Sequence, residues 1–265
     1  MKPASFFSDF LAHVSHKLEQ GVLPWRKSWR VGLPSNYVSK RPYSGINFFA
    51  LATSEFPSPY FLTFLQVRQR NATINRGAKG HPIVFWKIIE SDDDFAKQRA
   101  APLLRISHVF NLADTSLFTP NELPLHLECE SVVRNFKDAP VIKQNFARCY
   151  YSLSDDYVSL PVISEFNSQE EYYITLFHEL IHATGHPERL NRSFIDRGKE
   201  GEIIEELIAE LGAAYLAARC GLSMEKMNNS LGYIDGWLSL SRNRQDVFLR
   251  AIHQSREAAE YILRE

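Results

Sequence analysis

The chain has 265 residues, 45% of them hydrophobic and 12% aromatic, with a formal net charge of −1. That composition is globular and excludes a disordered chain, and no apolar run approaches the roughly 18 residues of a membrane span. Cys129, Cys149 and Cys220 are widely spaced and form no CxxC pair, which argues against a disulfide framework or a thiolate metal site. With no signal-peptide pattern at the N-terminus, the expectation is a cytoplasmic protein.

The small net charge hides a division. Residues 1–90 hold twelve Lys and Arg against four Asp and Glu, a net of +8, and the remaining 175 residues hold 18 basic against 27 acidic, a net of −9. The basic part also carries 15 of the 33 aromatics and three of the four tryptophans. Such asymmetry predicts two parts with different partners, the first suited to nucleic acid.

In chain order, residues 4–20 read as an amphipathic helix, with Phe6, Phe7, Phe10, Leu11, Val14 and Leu18 at helical spacing and Gly21 as its stop. Next, Trp25 and Trp29 alternate with Arg26, Lys27 and Arg30. Single-stranded nucleic acid is held by this combination, since bases stack on aromatic faces while cations follow the phosphates. The alternative is a pair of core tryptophans with a solvated rim of cations. The interleaving continues through Arg41 and Tyr43, where Gly45 suits a tight turn and Asn47 can bond a base or a turn. Residues 59–70 read as a short helix with Gln66 as a polar contact. A Lys79-Gly80 turn then feeds a strand over 83–87 and can present Lys79 to a phosphate, although the full P-loop pattern is absent. A second strand covers 105–112. A proline-spaced connection over 119–124 divides the chain into domains 1–122 and 123–265.

Beyond it, residues 148–152 and 157–161 suit a hairpin, and zinc peptidases commonly align substrate along an edge strand. Ser168 and Glu171 form a capping box for a helix that stops at Gly185, with Pro187 after it. Its last turns carry His178-Glu179-Leu180-Ile181-His182, an HExxH motif. Four-residue spacing puts both imidazoles on one helix face, where they can bind one zinc or other divalent ion while Glu179 acts as base on an activated water. A second helix over 202–219 carries Glu202, Glu206 and Glu210 four apart, beside Ala209, Gly212, Ala213 and Ala217. Small residues permit close helix approach. Glu206, 24 residues after His182, is the expected third ligand, with Glu205, Glu210 and His186 as alternatives. Glu210 is the expected carboxylate orienting a ligand histidine. The competing reading of these glutamates is a solvated acidic face. Residues 230–240 and 244–263 read as packing helices.

Taken together, Pro24-Trp25, Tyr43-Ser44-Gly45-Ile46-Asn47, Thr63 with Gln66, Lys79-Gly80, the stretch from His178 to His186, Arg189-Leu190 and Glu205 to Glu210 resemble the ArdC-like antirestriction proteins. The resemblance covers nearly the whole chain. It implies an α+β protein in which a single-stranded-DNA-binding domain precedes a zincin-like metallopeptidase domain, borne by plasmids or phages and protecting incoming DNA from restriction. It further implies His178, His182 and Glu206 as zinc ligands and Glu179 as catalytic base. This chain has Ala183 where family members often carry an aromatic, and Ile203-Ile204 where they often carry Tyr-Ala. Two functions follow as expectations. The first is a metallopeptidase tethered to single-stranded DNA and acting on DNA-bound protein. The second is a non-catalytic protein that occludes single strands, its metal site structural or vestigial. An accessory domain of a helicase or primase ranks last, since the chain has no nucleotide-binding motif.

Overall fold

The computed structural model describes residues 3–25, 33–52, 56, 58–87, 103–118, 129–144, 148–192, 198–223 and 231–264. The fold is α+β and forms two compact units, one of residues 1–13 and 34–122, the other of residues 14–33 and 123–265. The segment carrying Trp25 therefore groups with the second unit, which a single division at 122 does not anticipate. Helix α1 (Pro3–Glu19) buries Phe6, Phe10, Leu11, Val14 and Leu18, the stripe its three- and four-residue spacing predicts.

The first unit is built on four strands: β1 (Ser35–Asn36), β2 (Tyr60–Thr63), β3 (His81–Lys87) and β4 (Leu103–Asn111), in the order β1-β2-β4-β3. β1 runs parallel to β2, and the other pairs are antiparallel. Successive strand residues face opposite ways, so neighbours on β2 serve different cores. Phe61 packs with Leu51, Ile83 and Val109, while Leu62 packs with Val67, Ala72 and Leu112. Leu51 lies on α2 (Gly45–Ala52) and Val67 on α3 (Phe64–Arg68), so each helix closes one core.

Two expectations change here. Residues 59–70 are not one helix: the chain leaves β2 as strand and becomes helical at Thr63. There the Thr63 hydroxyl accepts the Gln66 backbone N–H (3.2 Å) and the Gln66 side-chain Oε1 accepts the Thr63 N–H (2.9 Å), a complete capping box. The stretch after Tyr43 is the start of α2, not an isolated turn, and Gly45 enters it with a φ of +54° that glycine adopts without strain.

In the second unit a short helix, α4 (Cys129–Asn135), precedes β5 (Val141–Gln144), β6 (Tyr150–Ser152) and β7 (Tyr157–Leu160). The sheet order is β5-β7-β6, with β6 and β7 forming the expected hairpin and β6 on the outside. Then come α5 (Gln169–Ala183), α6 (Gly198–Cys220), α7 (Ile234–Asn243) and α8 (Gln245–Leu263). Ser168 caps α5 by accepting the Glu171 N–H at 3.1 Å. The far end of α5 is tied by Arg189, which donates to the Ala183 carbonyl (2.7 Å), the Asp138 carbonyl (2.8 Å) and the Asp156 carboxylate.

The small residues of α6 let it lie against α5. A Cβ built on Gly212 would stand 2.6 Å from Ile181 Cδ1 and 2.8 Å from its Cγ1, inside any real contact. Gly212→Ala should therefore destabilise the protein by about 1–2 kcal/mol net, because overpacking outweighs the ~1 kcal/mol that alanine gains in a helix interior. Urea unfolding followed by tryptophan fluorescence reads this directly. An unchanged or raised midpoint would mean that α6 backs away at no cost.

Candidate metal centre

His178 and His182 project one turn apart from α5, and their Nε2 atoms stand 3.1 Å apart. Glu206 comes from α6 and places one carboxylate oxygen 3.5 Å from His178 Nε2 and the other 3.5 Å from His182 Nε2. Four ligands at 2.0–2.1 Å in a tetrahedron are separated by ~3.3 Å, so this spacing fits one divalent ion. The donor set fits as well, with two imidazole nitrogens and a carboxylate converging.

Glu205 faces the far side of a ligand ring, with its oxygen 3.2 Å from His182 Nδ1. Adjacent helix residues point about 100° apart, so Glu206 reaches the imidazole Nε2 atoms while Glu205 passes behind the ring. Glu205 is held in turn by Arg192, through Nη2 at 2.8 Å and Nε at 3.2 Å. The same guanidinium donates to the Thr184 hydroxyl (2.6 Å) and the Ile181 carbonyl (2.7 Å). Arg192 was not singled out by any motif. Glu210 is buried and lines the cavity described next. His186, one of the alternatives for the third ligand, lies outside the cluster, its Nδ1 accepting the Glu188 N–H at 3.2 Å.

All three candidate ligands border a cavity of about 750 Å³, as does Glu179, which is only 7% exposed. Tyr150 and Tyr151 of the outer strand β6 line it, as do Cys149 and Tyr233. Burial and then the charges of Glu179 and Glu171 push the Cys149 thiol up. The Tyr233 hydroxyl donates to Glu202 at 3.0 Å. Burial and then the Glu206 charge push Tyr233 up to about 12. Sequence spacing gave no sign of Tyr233, which arrives from beyond α6.

The electrostatics follow from the contacts. Burial disfavours a charged His182, but Glu205 and Glu206 outweigh it and push the ring up to about 10. Burial likewise opposes ionised Glu206, yet His178 and His182 hold its carboxyl below the usual carboxylate range.

The residues expected to touch nucleic acid fall into five groups. Arg26, Lys27 and Trp29 lie outside the described residues. Trp25 is 2% exposed and packs edge-on against Trp237 at 5.8 Å, so it is a core side chain with no face to offer a base. Asn47 and Gln66 are spent on the fold. Asn47 donates to the Val84 carbonyl (2.7 Å) and accepts the Val84 N–H (2.8 Å), pinning β3. Beyond its capping bond, Gln66 exchanges both amide ends with Asn36, at 3.1 and 3.3 Å. Tyr43 is half-buried against Phe61, and burial pushes its hydroxyl up despite the hydrogen bond from Asn36. Arg41 and Lys79 are exposed.

Residues 5–110 match the family described as the N-terminal domain of anti-restriction factor ArdC, and residues 128–254 match the zincin-like metallopeptidase family. The antirestriction ArdC protein of plasmid R388 has been solved metal-free and with Mn(II). Those chains are 27% and 26% identical to this one, each with a TM-score of 0.80, over 97% of this chain and 96% and 97% of theirs. This chain belongs to the ArdC-like antirestriction family. The uncharacterized protein y4eC of Sinorhizobium fredii (strain NBRC 101917 / NGR234) is 27% identical over 98% of this chain and 92% of its own. DNA primase TraC of Escherichia coli is 27% identical over 97% of this chain, which spans only 27% of the primase. The zincin-like domain and the Mn(II)-bound relative point to a divalent metal, and His178, His182 and Glu206 are the group of donors that could hold it.

Metal analysis of purified variants should find the ion lost from His178→Ala and Glu206→Ala and kept by His186→Ala. Glu205→Ala, which frees the ring of His182, should weaken affinity about 10–100-fold. Metal retained by Glu206→Ala would refute the ligand set. The His182 shift also carries a sign. Protonated His182 contributes stability to the unloaded protein that is complete below 6.5 and lost as pH rises through about 10. Thermal melts of unloaded wild type beside unloaded His182→Gln should show the difference shrinking over that interval; a constant difference would mean that the ring is not paired.

Proposed function

We propose that the protein is a zinc-dependent peptidase carried on single-stranded DNA, acting to protect incoming mobile-element DNA from restriction. The observation that carries the chemistry is the convergence of His178, His182 and Glu206 beside a buried Glu179 in an open cavity. Two imidazoles and one carboxylate suit zinc. When bound, such an ion acidifies water and polarises a carbonyl.

The chain's own residues account for the rest. Glu179, one position after a ligand histidine, takes the proton from the attacking water and returns it to the departing amine. Arg192 and Glu205 hold the His182 ring in the orientation that points its Nε2 at the site. The outer edge of β6 is unpaired among the described residues and borders the cavity, so an extended peptide can add to it as a further strand.

Support for a DNA partner is the +8 balance of the first 90 residues, the match to the ArdC N-terminal domain and the likeness to a segment of a DNA primase. Tethering to DNA raises the local concentration of DNA-bound protein substrates. The test is Glu179→Gln in the full chain. It should keep zinc and bind a single-stranded oligonucleotide as wild type does, yet lose all cleavage of a DNA-bound protein. Cleavage retained by this variant would sink the assignment of Glu179. Protection of transferred DNA that survives it would favour occlusion of single strands without catalysis.

A further inference from the structure

The first unit gathers three exposed segments at one end of its sheet. β1 runs parallel to β2 and ends beside it, so the turn over 37–41 follows at the end of β2 where α3 begins. Thr63, the last residue of β2, is opposite Val109 of β4, and Val109 is opposite His81, the first residue of β3. Lys79-Gly80 therefore lies about two strand spacings, ~10 Å, from the start of α3. The turn and α3 are fastened together by Asn36, which accepts from the Val38 and Ser39 N–H groups and exchanges hydrogen bonds with Gln66.

These segments supply six exposed cations: Lys40 and Arg41, Arg68 and Arg70, and Arg76 and Lys79. None of the segments contains a carboxylate; Asp114, whose carbonyl accepts the Asn75 N–H, is an acidic neighbour. Two cations are already set over aromatic rings. Lys40 Nζ sits 4.2 Å from the ring centroid of Tyr37 and 4.3 Å from that of Tyr60, and the Arg68 guanidinium lies 6.0 Å from that of Phe64. Amid this charge α3 exposes two large apolar side chains in succession, Phe64 at 58% and Leu65 at 64%. An apolar pair on a strongly cationic surface suits a polyanion with exposed apolar faces. A single strand with unstacked bases has both properties, whereas a duplex hides its base faces.

We infer that this end of the sheet is the single-strand-binding surface, with Phe64 and Leu65 taking bases and Lys40, Arg68, Arg70 and Lys79 following the phosphates. The inference rests on the reading of the first unit as a single-stranded-DNA binder, and it moves the contact from Trp25 to α3. Asn36 and Gln66 are positioning residues in it: they lock two binding segments in register without touching the strand.

The experiment is anisotropy of a labelled oligothymidine with the full chain over a series of salt concentrations. Phe64→Ala/Leu65→Ala should bind about 5- to 100-fold more weakly with an unchanged salt slope, since base stacking does not release counterions. Arg68→Ala/Arg70→Ala should lower the slope of log K against log salt by about 0.7 for each phosphate that is no longer neutralised. All four side chains are exposed, and unchanged melting of both variants excludes misfolding. Absence of wild-type binding would sink the DNA reading and this inference together. Wild-type binding that the Phe64→Ala/Leu65→Ala variant matches within about twofold overturns the inference alone. So does a loss confined to Arg26→Ala/Lys27→Ala.

Discussion

The candidate metal centre depends on how closely two helices approach. His178 and His182 belong to α5 and Glu206 to α6, and the carboxylate meets both rings only because α6 carries no side chain where it crosses Ile181. That isoleucine sits between the two histidines in sequence, so the point of closest packing and the point of coordination share one turn of helix. Arg192 then braces the same place from a third direction, binding the Ile181 carbonyl and Glu205 together. Apolar packing sets the distance, and the polar groups set the orientation.

The first unit uses its polar side chains differently. Asn36, Asn47 and Gln66 sit where the chain must bind its own backbone or a neighbouring turn, and their amides are consumed there. An amide that donates to and accepts from the backbone of one residue replaces a missing strand neighbour, as Asn47 does for Val84. These residues therefore shape a surface whose exposed members are cations and the two apolar residues of α3.

Much of this was readable in the residues. The helix bearing His178 and His182 announces itself through the Ser168 cap and the Gly185 exit, and the β6–β7 hairpin through its turn. What remained hidden has physical causes. An acidic line four residues apart identifies a helix face but not its rotation, so the place of Glu205 behind the His182 ring is not visible until α6 is set against α5. Tryptophans among cations look alike whether the rings are stacked on a ligand or buried with alkyl stems at the rim, and Trp25 is buried. Thr63 and Gln66 carry the capping-box spacing, but an apolar run over Phe61, Leu62, Phe64 and Leu65 reads equally as helix or strand. The cavity wall at Tyr233 depends on the path of the chain after α6, which no local pattern encodes.

The imidazoles and the Glu206 carboxylate stand at coordination spacing, on two helices whose separation is set where Gly212 meets Ile181. The two R388 ArdC structures, one metal-free and one with Mn(II), match this chain equally well, each with a TM-score of 0.80. Ligand spacing is inherited from the apolar crossing, so a change of one methyl group at Gly212 or Ile181 is felt at the donor atoms without touching any of them.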